Sequence, residues 1–416
     1  MSETILIERL GQRGDGLAAS GDGPFAVPGA LPGEHVEVMR EGQAVRLLSV
    51  TDPSPERREP FCPYYERCGG CVAQHMSGEL QSEWKRGLVA ETLARAGFDI
   101  EVPLPLDAHG AGRRRVTLHL RFQDGEGWVA GFMAARSHEI VPIATCPVLV
   151  PDLARSAPKV AVAVAAATGA RNKPLDIALV QSGAGLDIDI RGLGAPSESM
   201  RQKLIAAASA LDLARLSVHG ELIVERRAPS HLMAGIEVVP APGAFMQATA
   251  EGERLIGAEV ARILSGRKKV ADLFCGCGPI ALALARQSRV DAYDSEAGAI
   301  GALDRAVRRA SGLKPLSAQR RDLFRRPLLA DELKPYDGLS LDPPRAGALA
   351  QVQEIARTRH DLTIAMVSCD AGSFARDTRI LMDAGFTLTS LIVIDQFRHS
   401  PHVEIVAGLT RKGRKG

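Results

Sequence analysis

The stretch DLFCGCGPIALALA, residues 272–285, passes from a short apolar run through a glycine-rich turn into a helical pattern of Ala and Leu. A strand that ends in such a turn and opens a helix brings backbone N–H groups and a helix start to one point. Gly276 and Gly278 there allow a nucleotide-like ligand to approach the backbone closely, with Phe274 at the strand end beside them. Eighteen residues after Gly276, Asp294 closes the next apolar run, where a carboxylate accepts ribose hydroxyls. The spacing G-x-G-x-x-A fits a dinucleotide as well as S-adenosylmethionine. The motif alone leaves both open.

Working outward, the alternation of strand and helix begins near residue 245. Strands are predicted at KVADLF, RVDAYD, YDGLSLD, LTIAMVS, TLTSLIVID and HVEIVAGLTR. Helices are predicted at PIALALAR, EAGAIGALDRAVRRA, LAQVQEIARTR and SFARDTRILMDAG. That order predicts an α/β fold, a doubly wound sheet with helices on both faces. Ligands in such sheets lie beyond the carboxyl ends of the strands, so three loops there carry the candidate chemistry. LDPPRAGA presents Asp342 on a loop stiffened by two prolines, followed by Arg345. MVSCDAGS sets Cys369 at a strand end and a helix start, where a helix dipole lowers a thiol pKa. RHSPHVEIV opens an apolar strand with Glu404, a costly burial unless the carboxylate is used. The bland readings are a buried structural cysteine and an edge-strand charge.

Upstream, residues 1–55 read as short strands with Gly and Pro corners, a small β-barrel of OB type. TDPSPERREP follows as a proline-rich linker. Residues 56–240 read as a central α+β domain, and a helix over 82–97, capped by Ser77 or Ser82, is a candidate to pack on the catalytic domain. Residues 241–416 form the doubly wound domain. FCPYYERCGGC places Cys62, Cys68 and Cys71 within ten residues, open to readings as a zinc knuckle, a disulfide half-framework or a cluster cradle.

The chain of 416 residues is 45% hydrophobic and 24% charged, a composition that supports full-sized cores. No apolar run spans a bilayer and the N-terminus is no signal peptide, so a cytoplasmic protein without membrane contact is expected, its seven cysteines reduced. Net charge is only +2, yet GRRRVTLHLR, QRRDLFRR and the tail RKGRKG cluster arginine and lysine, a modest pointer to RNA.

DLFCGCG, LDPPRAG, VSCD and HVE, in this order and spacing, resemble the RNA uracil-5-methyltransferase family. GAFMQAT matches its F-x-Q element with Gln247, and VPGALPGEHVEV resembles the TRAM barrel of many members. Cys62, Cys68, Cys71 and a fourth cysteine, Cys146 in CPVL, match the ligand set of the iron–sulfur branch, which includes the bacterial 23S rRNA enzymes. The resemblance implies a class I (Rossmann-like) methyltransferase domain, S-adenosylmethionine as methyl donor and a [4Fe–4S] cluster on four thiolates. It implies an RNA substrate, 23S rRNA before tRNA, and a monomer. Cys369 becomes the nucleophile and Glu404 the base. Gln247, Phe274, Gly276, Gly278, Asp294, Asp322 and Asp342 become the cofactor-facing set, with Asp322 beside the adenine. Two positions depart from the family pattern, Pro279 and Asp322, where Asn is common. Arg345 replaces the aromatic residue that amino-methyltransferases stack on their target, which argues against exocyclic-amine chemistry. An NAD-dependent oxidoreductase and a noncatalytic RNA-binding scaffold are the rival readings; the first leaves Cys369 and Glu404 without roles, and the second is disfavoured because every catalytic residue type is present.

Overall fold

The computed structural model describes residues 2–19, 23–41 and 44–413. Met1, the corners 20–22 and 42–43 of the expected barrel, and Arg414–Gly416 of the basic tail lie outside the described residues.

The N-terminal strands form two three-stranded antiparallel sheets. One joins Ser2–Leu6, His35–Glu41 and Ala44–Asp52; the other joins Arg9–Leu10, Gly16–Ala18 and Phe25–Val27. Ile7, Ala18, Val27, Ala30, Val36 and Val38 fill a common core. Gly16 is required there, because a Cβ would lie 2.7 Å from both the Ala30 carbonyl and the Ile7 side chain.

The central region is a seven-stranded sheet in which Arg115–Gln123 and Leu175–Ser182 are neighbours. Val116, Leu118 and Leu120 alternate inward along the first of these, as a half-buried strand demands. Helices Pro151–Thr168 and Glu198–Ala210 cover the sheet, contributing Leu153, Ala157, Ala161, Val164, Leu204 and Ala208 to its core.

The C-terminal sheet has eight strands. Their order is Leu316–Arg320, Arg289–Asp294, Lys269–Leu273, Gly338–Leu341, Leu362–Ser368, Glu404–Arg411, Thr387–Asp395 and Leu106–Asp107. Glu404–Arg411 runs antiparallel to both neighbours, and the other pairings are parallel. Six of the strands match the predicted ones. Leu316–Arg320 was missed because it is a polar, largely exposed edge strand with no apolar alternation. Leu106–Asp107 comes from far upstream and closes the opposite edge.

The helix expected over 82–97 spans Gly78–Arg95, and the Ser77 hydroxyl accepts a hydrogen bond from the Leu80 N–H at 3.0 Å as its cap. Its Val89 and Leu93 share one core with Leu341, Ile364, Phe374 and Val393 of the C-terminal sheet layer. Lys85 on this helix is fully buried and donates to Asp395 Oδ2 at 2.5 Å and to the Phe397 carbonyl at 3.1 Å. No helix among the described residues is long and apolar enough to cross a membrane.

Candidate active site

Strand order reverses between Lys269–Leu273 and Gly338–Leu341, the switch point at which doubly wound sheets open a crevice. A cavity of about 1110 Å³ lies there, between the carboxyl ends of the C-terminal strands and the edge of the central sheet. Gln247, Phe274, Gly276, Asp294, Asp342, Cys369 and Glu404, from six separate segments, all line it.

The glycine turn is built by backbone constraint. Phe274 and Gly276 take positive φ values of 65° and 53°, and the Gly276 N–H donates to Asp294 Oδ2 at 2.8 Å. Asp294 Oδ1 accepts from the Glu296 N–H at 2.8 Å, so the carboxylate is oriented before any ligand arrives. Gly278, with φ 86°, does not line the cavity. A Cβ there would stand 2.4 Å from Leu303, so this glycine serves close packing of helix Ala297–Arg309. Pro279 occupies the first turn of helix Pro279–Ala285, where its missing N–H costs nothing. Cys275 and Cys277 are buried, and burial pushes their thiols up, Cys277 to about 11, which disfavours their thiolates.

Asp322, the expected neighbour of the adenine, is held by the backbone that follows it. Its Oδ1 accepts from the Phe324 and Arg325 N–H groups at 3.0 and 3.2 Å, closing a turn, and the residue is not part of the cavity wall. Phe324 lines the cavity instead, its ring 5.3 Å from that of Phe274.

The reactive end gathers two carboxyls, Glu404 and Asp342, around one thiol, Cys369. Burial and the nearby Asp342 push the Glu404 carboxyl up to about 8, against the lowering effect of Gln396, Arg115 and Arg345. Burial pushes Asp342 up to about 7. Cys369 was expected to be lowered by the helix it precedes. Its thiol is raised instead: burial and the Glu404 and Asp342 carboxylates outweigh Arg345, while Asp370, not Cys369, caps helix Ala371–Asp383. The arrangement offers a sulfur whose thiol is raised and a carboxyl, Glu404, whose proton affinity lies within reach of neutral pH.

Gln396 carried no sequence signal and stands behind the cavity wall, whereas Arg115 and Arg345, both visible in the sequence, stand in it. Gln396, fully buried, donates through Nε2 to Gln247 Oε1 at 2.8 Å and to Glu404 Oε1 at 3.1 Å. Arg115 reaches in from the central sheet with its guanidinium 4.8 Å from the exposed Phe245 ring. Arg345 approaches His402, whose imidazole burial holds below its usual pKa.

The four cysteines outside this cavity are free and half-buried. Burial raises the Cys71 and Cys146 thiols, Cys146 to about 12, and each is raised further by the charge of Cys62 and Cys68. Cys68, Cys71 and Cys146 are thus all raised, and a cationic group would be needed to hold them as thiolates. Among the described residues, no group of three or more His, Cys, Asp or Glu stands arranged to hold a metal ion.

Comparison with known proteins follows the same line. No family model matches the chain. An uncharacterised RNA methyltransferase of Brucella suis is 42% identical over 412 residues, 99% of this chain and 98% of the relative. The 23S rRNA (uracil(1939)-C(5))-methyltransferase RlmD of Salmonella choleraesuis is 30% identical, over 96% of this chain and 94% of the relative. The crystal structure of Pyrococcus abyssi tRNA (uracil-54, C5)-methyltransferase with S-adenosyl-L-homocysteine shares the fold at a TM-score of 0.73, with 22% identity over 98% of this chain and 99% of that one. The cavity thus sits in a fold and a sequence lineage that agree, and the chain belongs to the RNA uracil-C5-methyltransferase family.

Proposed function

We propose that the protein forms 5-methyluridine in RNA, with 23S rRNA as the leading substrate and tRNA as the second. The observation that carries this reading is the convergence of Cys369, Glu404, Asp342 and Gln247 on the cavity that the glycine turn opens. A methyl-transfer site that needed no covalent help would not require a thiol and a base side by side.

Carbon 5 of uracil is a weak nucleophile. Addition of the Cys369 thiolate to C6 forms a C–S bond and moves the ring's electron pair onto C5. S-adenosylmethionine, which Phe274, Gly276, Asp294 and Phe324 would hold, supplies the methyl group when bound. Glu404 then takes the C5 proton, and the released electron pair re-forms the C5–C6 double bond and expels Cys369 as thiolate. Gln247 and Asp342 contact the base edge or the methionine end, and Arg115 faces the incoming RNA. The target uridine must leave its stack to reach the thiol, which favours a looped RNA.

Cys62, Cys68, Cys71 and Cys146 are the ligand set for a closed [4Fe–4S] cluster, which would join residues 61–72 to the 146 segment. Each thiolate of such a cluster binds a different iron, so the sulfurs stand farther apart than four ligands of one ion. The N-terminal sheets act as a TRAM-like RNA-binding module, residues 1–55, beside a central domain over 56–240 and the catalytic domain over 241–416, in a monomeric cytoplasmic enzyme. Transfer of tritium from labelled S-adenosylmethionine to 23S rRNA and tRNA transcripts tests the reading. Label at C5 of a uridine in rRNA is expected; label in neither RNA overturns it.

A further inference from the structure

The side-chain amide of Gln396 touches two of the proposed working groups at once. Its Nε2 donates to Gln247 Oε1 at 2.8 Å and to Glu404 Oε1 at 3.1 Å, and its own Oε1 accepts from the Thr249 N–H at 3.3 Å. The residue is fully buried, and its place is fixed from the helix side. A Cβ on Gly252 of helix Ala250–Ile263 would lie 2.7 Å from Gln396 Oε1 and 3.0 Å from its Cβ, so only glycine leaves room for this rotamer.

An amide whose oxygen is turned to a donor on one side directs its NH₂ group to the other. Gln247 Oε1 is occupied by Gln396, and its NH₂ group has no hydrogen-bond partner among the described residues while the side chain lines the cavity. Gln247 therefore presents a donor, which suits a ring carbonyl oxygen and repels an exocyclic amine at the same place. At Glu404 the same Nε2 supplies a hydrogen bond that favours the ionised carboxylate. The other charged or titratable groups facing Glu404 are Asp342 and Cys369, which oppose its ionisation, and Arg115 and Arg345, which assist it.

We propose that Gln396 is a positioning residue that fixes the donor face of Gln247 toward the base and holds Glu404 in place as the proton acceptor. The inference rests on the reading of Glu404 as base.

The test is the pH dependence of single-turnover methyl transfer by Gln396→Met, a near-isosteric side chain without the donor. The acid limb is expected to move up by about one pH unit, the size of one hydrogen bond to a charged group, with S-adenosylhomocysteine affinity kept within about twofold. Cytidine placed at the target position is expected to compete better for the variant than for the parent enzyme. A uniform fall in rate with the limb unmoved overturns the inference, since a merely structural role would act equally at every pH. If the Met variant fails to bind S-adenosylhomocysteine, Gln396→Asn carries the same test, because it keeps the amide and withdraws it by one methylene. Glu404→Gln is run alongside. Normal turnover in that variant would overturn the base assignment and this inference with it. A blocked Glu404→Gln beside an unmoved limb in Gln396→Met would overturn the inference alone.

Discussion

Lys85 and Asp395, 310 positions apart, form an ion pair of 2.5 Å in which the lysine is entirely shielded from solvent. Asp395 Oδ1 also accepts from the Phe397 N–H at 2.9 Å, so the pair clamps the start of the segment that leads through Gln396 to Glu404. The Lys85 ammonium is held below its ordinary pKa by burial, with Asp395 working in the opposite direction.

Removing one member of such a pair leaves a buried charge without a partner. Lys85→Met is expected to cost ~3–5 kcal/mol of stability, read by urea denaturation. Lys85→Met combined with Asp395→Asn should recover much of the loss, because the uncompensated charge is gone. Equal destabilisation by the single and double variants would mean that packing, not charge, dominates the contact.

How much of this was legible in the sequence depends on whether a feature is local. The glycine turn, Asp294, Asp342, Cys369 and Glu404 each sit at a strand end, and strand ends converge in a doubly wound sheet. Their meeting at one cavity follows from that rule. Gln396 and Arg115 lie beyond such a rule, since nothing in their own segments says which carboxylate or ring they will meet. The turn at Asp322 was legible too: an Asp followed by Leu-Phe-Arg is a turn former whose oxygen caps the N–H groups two and three residues on. The raised thiol of Cys369 was hidden for a different reason. Helix position is visible locally, but the two carboxylates that oppose ionisation arrive from strands 27 and 35 residues away.

The four-thiolate assignment predicts that anaerobically purified protein carries about four irons and matching sulfide per chain. Cys146→Ser should release the iron while leaving S-adenosylhomocysteine affinity unchanged, because the cofactor turn lies on a different sheet. Stoichiometric zinc with no iron would replace the cluster by another site.

The acid limb of the reaction should lie on the alkaline side of neutrality. Glu404 is raised to about 8 and Asp342 to about 7, both by burial, and Cys369 is raised as well. A raised acid keeps its proton until the pH passes its folded-state pKa, so base and nucleophile both become competent as pH climbs. Single-turnover rates are therefore expected to rise from pH 6 through pH 8. Arg345 favours the charged forms of both Cys369 and Glu404, so Arg345→Met should move the limb upward. A limb that stays in place would assign Arg345 to RNA contact alone.

Glu404→Gln isolates the last chemical step. Glutamine is nearly isosteric, and at strand position 404 its backbone partner Ile394 is unaffected, so the sheet should persist. Gln396 Nε2 would still find an oxygen acceptor at the same place, which preserves the buried network around Gln247. Only the proton acceptor is lost. If Glu404 removes the C5 proton, the variant stops after methyl transfer, when RNA and enzyme are still joined through Cys369. A protein–RNA adduct that survives denaturing electrophoresis and already carries the labelled methyl group is expected. Adding Cys369→Ala should abolish the band, because no sulfur remains to form the bond. Normal turnover by Glu404→Gln would leave this residue as a buried strand carboxyl and send the search for the base to His402, which faces the same cavity.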